Sequence, residues 1–204
     1  MINFSDLAAL TIHDVKNRLA IIASQAEARG DSDTVSGVMQ AAQALTNLLL
    51  FYRAERDQLR LNIDAYMPSD LLTEMALELA KPGKFKVSVD CQAAASLSFY
   101  DEALVRMVLM DAAYNASRHA RAEIKLTARV EAGYLEFTVA DDGPGYPPEI
   151  LDPATPLPRS NNEGSGLGLF LARHIASLHQ NNGLQGSLAL RNDPGAVFCL
   201  RLPQ

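Results

Sequence analysis

The stretch Gly164-Ser165-Gly166-Leu167-Gly168-Leu169 leads directly into a helical pattern that continues through Leu171, Ile175 and Leu178. Glycines at every second position let a backbone pass close to a ligand, and the free N–H groups at a helix N-terminus attract phosphate. The spacing is neither that of a P-loop nor that of a dinucleotide-binding fold, and a packing requirement would also select alternating glycines. The motif therefore indicates a nucleotide site only if other parts of the chain supply its partners.

The composition is that of an ordinary globular protein with 204 residues, 48% of them hydrophobic and 21% charged. A formal net charge of −6 without a basic run argues against nucleic-acid binding. No apolar run approaches the ~18 to 20 residues of a membrane span, and no signal-peptide pattern is present, so we expect no membrane contact. Cys91 and Cys199 lie in alternating apolar patterns and are expected to be buried, reduced thiols, which fits a cytoplasmic chain.

Two stretches near the N-terminus repeat apolar residues at heptad spacing, residues 5–28 and residues 35 to about 60, with a break at 29–33. Two such helices joined by a short loop predict an antiparallel hairpin. The hairpin leaves its seam half covered, and the second helix carries a further apolar stripe, so we expect a homodimer that closes a four-helix bundle. The seam residues are Ala8, Ile12, Val15, Leu19, Ile22 and Ala26, then Val35, Val38, Ala42, Leu45, Leu49 and Tyr52.

His13 follows the seam residue Ile12, which turns it about 100° away from the core and predicts an exposed side chain. Asp14 comes next, and Asn17 lies one turn further on the same face. A neighbouring carboxylate can hold one ring nitrogen protonated and leave the other as a nucleophile. Position alone favours an inert surface residue, and it is the company of Asp14 and Asn17 that sets His13 apart.

The heptads end near residue 64, where we place a domain boundary between residues 1–63 and 64–204. A helix is predicted after Pro68, and alternating apolar residues predict strands. The second part therefore reads as an α+β domain, a mixed sheet with helices on one face. The predicted strands contain residues 85–91, 124–130, 135–139, 188–190 and 197–202.

The predicted helix over 101–119 has a stripe that turns from apolar to polar, ending in Asp111, Asn115 and Arg118. We expect these three to continue the buried face, where an unpaired polar group costs about 1 to 3 kcal/mol. A magnesium ion bound to a triphosphate would satisfy them, because the Asn115 carbonyl oxygen is a hard ligand and Arg118 can pair with phosphate. A polar network that closes on neighbouring backbone is the alternative.

In the stretch Val139-Ala140-Asp141-Asp142-Gly143-Pro144-Gly145, a predicted strand ends in an acidic residue and turns through glycines. Asp141 would lie at the rim of the sheet, where it could accept the exocyclic N–H of adenine, a donor that guanine lacks at that position. A simple turn explains the glycines but not the buried lead-in. Residues 146–163 are rich in Pro, Ser and Asn and predict a mobile lid.

Together these motifs resemble, over nearly the whole chain, the sensor histidine kinases of bacterial two-component systems. The stretch 13–17 resembles the phosphoacceptor H box, 111–118 the N box, 141–145 the first glycine box and 164–169 the second. Four motifs in this order, on a predicted helix, helix, loop and loop, make the resemblance specific.

The resemblance implies a dimerisation and histidine-phosphotransfer hairpin followed by an ATP-binding domain of the kind shared with DNA gyrase. His13 would attack the γ-phosphate of ATP, Asp14 would assist the proton, Asn115 would hold Mg²⁺ and Asp141 would read adenine. The phosphoryl group would pass to the receiver domain of a response regulator. We expect Asn17 to take part in the reverse function, the removal of phosphate from that regulator. The remaining nucleotide-binding residues would be Arg118, Gly143, Gly145, Gly164, Gly166, Leu167 and Gly168.

The chain also departs from this family. Asp111 stands where Asn is common, and a carboxylate there, as in gyrase-like ATPases, could orient a water. Arg18 stands where Pro is common, which predicts an unkinked first helix. No convincing phenylalanine box precedes the lid. Because the chain starts a dozen residues before His13, we expect the input to come from a sensory partner or a missing sensor domain.

Two other classes of protein share part of the pattern. A phosphorelay hub would use His13 without ATP and would have little need for the glycine boxes. A gyrase-like ATPase, or a serine kinase of the anti-sigma type, would need the glycine boxes but not His13 with its acidic neighbour.

Overall fold

The computed structural model describes residues 4–80, 85–93, 97–151 and 166–204. The chain forms two compact units, Met1–Arg60 and Leu61–Gln204. The division falls close to residue 64, where the heptad pattern ends. Within the described parts of the chain, no helix combines the length and the apolar composition that a membrane crossing requires.

The first unit consists of two helices that contact each other, α1 (Phe4–Glu27) and α2 (Ser32–Ala54). The turn between them uses Gly30 at φ +70°. Asp31 then caps α2, because its carboxylate accepts from the Thr34 N–H at 3.0 Å and from the Thr34 hydroxyl at 2.6 Å. The first helix continues through Arg18 without interruption, as predicted.

The second helix is shorter than the sequence predicts, since it ends at Ala54 and not near residue 60. The chain turns at Asp57, whose φ of +52° is left-handed, and the Gln58 N–H bonds back to the Arg53 carbonyl. A left-handed residue cannot continue a right-handed helix, so α2 ends before Asp57, and the last seam residue, Tyr52, still lies within it.

The second unit is α+β, as predicted, and is built on a mixed five-stranded sheet. Strand β2 is parallel to β4, and every other neighbouring pair in this sheet is antiparallel. The strand order is β2-β4-β5-β9-β8. In chain order the elements are β1 (Asp64–Tyr66), α3 (Pro68–Leu79), β2 (Lys86–Ala93), β3 (Ser98–Tyr100), α4 (Glu102–His119), β4 (Glu123–Glu131), β5 (Tyr134–Asp141), α5 (Pro148–Leu151), α6 (Leu167–Leu178), β6 (Gln180–Asn181), β7 (Leu184–Gln185), β8 (Ser187–Asn192) and β9 (Ala196–Pro203).

One face of this sheet forms the core with α3, α4 and α6. Alternation along the strands brings Ala128, Phe137 and Leu200 into register on that face, and each is buried. Leu109 on α4 and Ile175 on α6 are also fully buried. Burying one large apolar side chain contributes about 1.5 to 3 kcal/mol, so this layer contact holds the helices against the sheet.

A buried hydrogen-bonded junction joins the start of α4 to the end of α6. The Asp101 carboxylate accepts from the Leu104 N–H at 3.0 Å, capping α4, and from the Asn62 N–H at 2.7 Å. The Asp101 N–H donates to His179 Nε2 at 3.1 Å, and His179 Nδ1 lies 2.8 Å from the Ile175 carbonyl oxygen. These contacts place the proton of His179 on Nδ1, and burial lowers its pKa.

Both cysteines are free thiols, as predicted. Cys199 is buried, and desolvation is the main cause that raises its pKa to about 12. Cys91 is only half-buried, because β2 is an edge strand.

Candidate functional site

The C-terminal half of α4 carries the predicted polar stripe, but the stripe does not continue the buried face. Asp111 and Asn115 are half-buried and Arg118 is exposed. The expectation of burial was wrong because these positions are rotated away from the centre of the core face, Asn115 by about 120° and Asp111 and Arg118 by about 160° to 180°. They therefore lie outside the core face, where a side chain can reach both protein and ligand. The fully buried positions of this helix are Val105, Leu109 and Ala113.

The first glycine box follows directly from β5. Asp141 ends the strand and is only 8% exposed, and its Oδ1 accepts from the Gly143 N–H at 2.8 Å. A Cβ on Gly143 would lie 2.6 Å from the carbonyl oxygen of His119, the last residue of α4. The loop can pack on the end of α4 only because residue 143 has no side chain.

Asp142 attaches the same loop to the connection between α4 and β4. Its carboxylate accepts from the Arg121 N–H at 2.7 Å and from the Ala122 N–H at 2.9 Å. These backbone hydrogen bonds hold the pKa of Asp142 below its ordinary value, and the bond from Ala122 makes the largest contribution. Asp142 is thus engaged in holding the loop, while Asp141 ends the strand.

Tyr146, which follows the first glycine box, was not singled out from the sequence. Burial, and then the charge of Asp141, raise the pKa of Tyr146 above its usual range. The phenol therefore lies in the electrostatic environment of the Asp141 carboxylate. A tyrosine between glycine and proline in sequence gives no signal for such a position.

The second glycine box forms the start of α6. Gly166 is the N-cap residue, with a left-handed φ of +67°, and its carbonyl accepts from the Phe170 N–H at 3.1 Å. A Cβ on Gly168 would lie 2.0 Å from Asp111 Oδ2, so the Asp111 side chain rests directly on the first turn of α6. Gly168 thus allows α4 and α6 to approach, and Leu167 is the first helical residue.

Part of the predicted site lies outside the described residues. Gly164, Ser165 and residues 152–163 of the predicted lid belong to this part. The described start of the lid segment contains the short helix α5.

The structure confirms the predicted exposure of His13, whose side chain is 72% exposed. Asn17 Nδ2 lies 3.3 Å from His13 Nδ1, and Asp14 Oδ1 lies 3.9 Å from the same nitrogen. A carboxylate only accepts, so Asp14 favours a proton on Nδ1 and leaves the lone pair of Nε2 for chemistry. The Asn17 amide can rotate to present its oxygen or its nitrogen to Nδ1, and so it fits either tautomer.

Among the described residues, no group of three or more His, Cys, Asp and Glu side chains could hold a metal ion by itself. A Mg²⁺ ion needs few protein ligands when it binds with a nucleotide, because phosphate oxygens and waters complete its shell. The half-buried Asn115 lies on α4 between Asp111, which contacts Gly168, and His119, which contacts Gly143, so its carbonyl oxygen fits that kind of site. The donor set suits a magnesium nucleotide better than a free metal ion.

Comparison with known proteins agrees with the motifs. A family model described as histidine kinase-, DNA gyrase B-, and HSP90-like ATPase matches residues 100–204. Sensor protein KdpD of Escherichia coli (strain K12) is 30% identical over 224 residues, covering 97% of this chain and 24% of that protein. Signal transduction histidine-protein kinase AfsQ2 of Streptomyces coelicolor is 32% identical over 106 residues, covering 48% of this chain and 19% of that protein. The chain spans about a quarter or less of the length of these relatives.

Solved structures show the same fold. Full-length ShkA in complex with AMPPNP matches with a TM-score of 0.66 at 20% identity, over 97% of this chain and 45% of that chain. The histidine kinase AdeS of Acinetobacter baumannii matches with a TM-score of 0.61 at 18% identity, over 94% of this chain and 97% of that chain. The resemblance to a sensor histidine kinase core, inferred from the motifs, is confirmed by these findings.

Proposed function

Since the chain belongs to the family of histidine kinase-, DNA gyrase B-, and HSP90-like ATPases, we propose that it transfers the γ-phosphoryl group of ATP to its own His13. One observation carries the nucleotide half of this proposal. The C-terminal half of α4 contacts both glycine boxes, through the His119 carbonyl at Gly143 and through the Asp111 carboxylate at Gly168. A helix bearing Asn115 between two close-packed loops is suited to hold a triphosphate between backbone N–H groups and a metal ligand.

Different residues would bind different parts of the nucleotide. Asp141 would accept from the 6-amino group of adenine, which guanine cannot supply. Arg118 is exposed and can swing to pair with phosphate oxygens, while the N-terminus of α6 offers partial positive charge. Mg²⁺, held by the Asn115 carbonyl oxygen, would neutralise triphosphate charge and orient the γ-phosphate.

The phosphoacceptor chemistry needs a neutral imidazole. Nε2 of His13 attacks the γ-phosphorus in line, the bond from that phosphorus to the bridging oxygen breaks, and ADP leaves with the bonding electrons. The ring becomes cationic as the N–P bond forms, and Asp14 takes the proton from Nδ1, which leaves a phosphohistidine whose ring is neutral and whose phosphoryl group is anionic. Passing the group to an aspartate in the receiver domain of a response regulator then regenerates His13.

The first unit is proposed to form the homodimer and to meet the response regulator. Large apolar side chains remain exposed on this unit, as expected if a second copy covers them in a four-helix bundle. Asn17 lies on the face of His13, so a docked receiver would also meet it, and its amide could orient the water that removes phosphate from the regulator. The exposed apolar residues include Val15, Ile21, Ile22, Met39 and Leu48.

We place this activity in the cytoplasm, with the sensory input supplied by a further domain or by a partner protein. The relatives that match this chain are several times longer than it, so such an input is compatible with the family.

The test is to incubate the purified chain with γ-labelled ATP and Mg²⁺ and to ask where the label resides. Phosphohistidine requires that the label be lost in acid and kept in alkali. His13→Gln should remove the label while ATP still binds, because the amide keeps polarity but cannot accept the phosphoryl group. Label that persists at the wild-type level on His13→Gln would refute the proposal.

A second activity, ATP hydrolysis, is favoured by the position of Asp111. Its carboxylate lies on the first turn of α6, where it could orient a water toward the γ-phosphate as the corresponding carboxylate of gyrase-like ATPases is expected to do. Free phosphate released by the His13→Gln protein measures this activity without phosphotransfer. Asp111→Asn should lower it if the carboxylate orients the water, and unchanged release would exclude that role.

A further inference from the structure

The turn between β8 and β9 packs against the first glycine box. A Cβ on Gly195 would lie 2.1 Å from the carbonyl oxygen of Asp141, so the main chain of the turn rests directly on that residue. The Asp193 N–H donates to the Gly195 carbonyl at 2.8 Å and closes the turn. Asp141, the residue proposed to read adenine, therefore packs against a turn that lies about fifty positions later in the chain.

Asn192, the last residue of β8, holds the chain on the far side of the same box. Its Oδ1 accepts from the Tyr146 N–H at 2.7 Å, and its Nδ2 donates to the Tyr146 carbonyl at 3.0 Å. One side chain thus satisfies both backbone groups of one residue. Only a carboxamide places a donor and an acceptor side by side in one plane, so this contact is specific for Asn or a longer Gln.

The same amide accounts for Gly145. This glycine has a left-handed φ of +86°, and a Cβ on it would lie 2.7 Å from both Cγ and Oδ1 of Asn192. The Asn192 carboxamide therefore occupies the space that a side chain at position 145 would need. In this chain the second glycine of the box is required by a protein contact, whatever its role toward a nucleotide.

We propose that Asn192 is a positioning residue for adenine recognition. By holding both backbone groups of Tyr146 and lying against Gly145, it fixes the path of the loop over 141–146. Asp141 is bound into that loop through the Gly143 N–H, so the loop path sets the direction of its carboxylate. A loop held in place before binding does not have to be ordered by the nucleotide, which favours affinity and base discrimination.

This inference rests on the proposed ATP site, so the experiment measures two ligands on each variant. The ligands are ATP and purine riboside triphosphate, which is ATP without the 6-amino group. Their dissociation constants are measured in the presence of Mg²⁺ for the wild-type chain, Asn192→Ala, Asn192→Asp and the control Asn181→Ala. Asn181 is also an exposed asparagine at a strand end, in the short β6–β7 pair.

For Asn192→Ala we expect about tenfold weaker ATP binding, the order expected when two backbone hydrogen bonds of ordinary net strength are lost. Binding of the analogue should change much less, so the advantage that the amino group gives in the wild-type chain should largely disappear. The KM for ATP should rise while kcat at saturating ATP stays within about twofold, because the loop is then ordered by the ligand. Asn192→Asp keeps the acceptor for the Tyr146 N–H and should lie between wild type and Asn192→Ala, and Asn181→Ala should match wild type.

The outcomes separate the two proposals. If the wild-type chain binds neither triphosphate, the proposed nucleotide site is wrong, and the role of Asn192 fails with it. If wild type binds ATP but Asn192→Ala keeps its affinity, or loses affinity for ATP and analogue in equal proportion, only the positioning role is overturned. If Asn192→Ala does not fold, Asn192→Asp decides, since an unchanged preference for ATP over the analogue would contradict the role.

Discussion

The two units differ in how far their proposed functional side chains are exposed to solvent. In the first unit His13 is 72% exposed, and its neighbours Asp14 and Asn17 approach a single ring nitrogen. In the second unit Asp141 is 8% exposed and its loop is held by backbone contacts on several sides. The proposed nucleophile would have to meet both a nucleotide and a response regulator and so needs access, whereas the proposed nucleotide loop benefits from being ordered beforehand. The difference fits the proposed roles, in which the first unit meets changing partners and the second holds one ligand.

The sharpest way to test this division is to separate the two functions on different chains. His13→Gln should abolish phosphorylation without changing ATP affinity, and Asn115→Ala should abolish it by weakening the magnesium nucleotide complex. A mixed dimer of the two variants contains one intact histidine and one intact ATP site. Recovered labelling after subunit exchange would show transfer across the dimer.

The controls for the mixture are the two variants alone and a measured mass. Light scattering should give the mass of two chains at micromolar concentration, and the mass of one chain would contradict the proposed dimer. If exchange is proven and the mixture remains unlabelled, each chain serves its own histidine.

The contact between Gly168 and Asp111 predicts that Gly168→Ala changes the free energy of unfolding in opposite directions with and without the Asp111 side chain. Gly168→Ala should destabilise the second unit by about 1 to 3 kcal/mol, the range for overpacking, because its methyl group would overlap Asp111. In an Asp111→Ala background the same substitution should be neutral or stabilising, since alanine is favoured over glycine in a helix by up to about 1 kcal/mol. Chemical denaturation of the four chains in this double-mutant cycle measures the coupling.

If Gly168→Ala costs the same in both backgrounds, the overlap with Asp111 is not its cause. Such a result would mean that the cost of a side chain at position 168 arises from contacts other than the one with Asp111.

Removing the carboxylate of Asp141 should weaken ATP binding by about 10- to 100-fold, since a hydrogen bond to a charged group contributes about 1.5 to 3 kcal/mol. Asp141→Ala should leave GTP binding nearly unchanged, because guanine offers an acceptor at the position of the adenine amino group. Isothermal titration calorimetry with both nucleotides checks this. Equal affinity of the wild-type chain for ATP and GTP would show that Asp141 does not read the base.

The smallest effect is expected from the buried junction at His179. Its pKa lies below the ordinary value of 6.5, so as pH falls below about 6.5 the unfolded chain takes up a proton before the folded chain does. Stability should therefore fall with pH through this window and level off below the folded pKa. His179→Gln should remove this slope in urea unfolding between pH 7 and pH 5, while the exposed control His119→Gln should keep it.

The Asp142 carboxylate affects stability in a lower pH range, because its pKa is also lowered from an ordinary value of 3.8. Its contribution to the free energy of unfolding is present above pH 3.8 and is lost only as the pH falls further. A slope that appears below pH 4 and survives His179→Gln is thus assigned to carboxylates and not to the histidine junction.

Regular elements with long periodic patterns could be predicted from the sequence. The helices α1, α3 and α4 and all five strands of the main sheet coincide with the predicted stretches to within about two residues at each end, because each repeats apolar residues over several turns or strand positions. The strands β1 and β3 were missed, since three residues carry no readable period and their pairing joins residues more than thirty positions apart.

The sequence also misassigned the buried face of α4. Asp111, Asn115 and Arg118 share one stripe with Leu104 and Val108, but α4 packs on the sheet and on α6 through a neighbouring stripe. Helical periodicity shows which residues share a face and does not show which of two adjacent faces is covered. That choice is made by the elements packed against the helix.

By itself the sequence determined the kinds of element and an exposed His13, and it supplied the polar residues proposed for the site, because these follow from local spacing and residue chemistry. Only the tertiary structure decided what the glycines do. Gly143 packs on the His119 carbonyl, Gly145 on Asn192 and Gly168 on Asp111. Whether a missing side chain makes room for a ligand or for the protein depends on atoms that the fold brings from distant positions, and no local pattern contains that information.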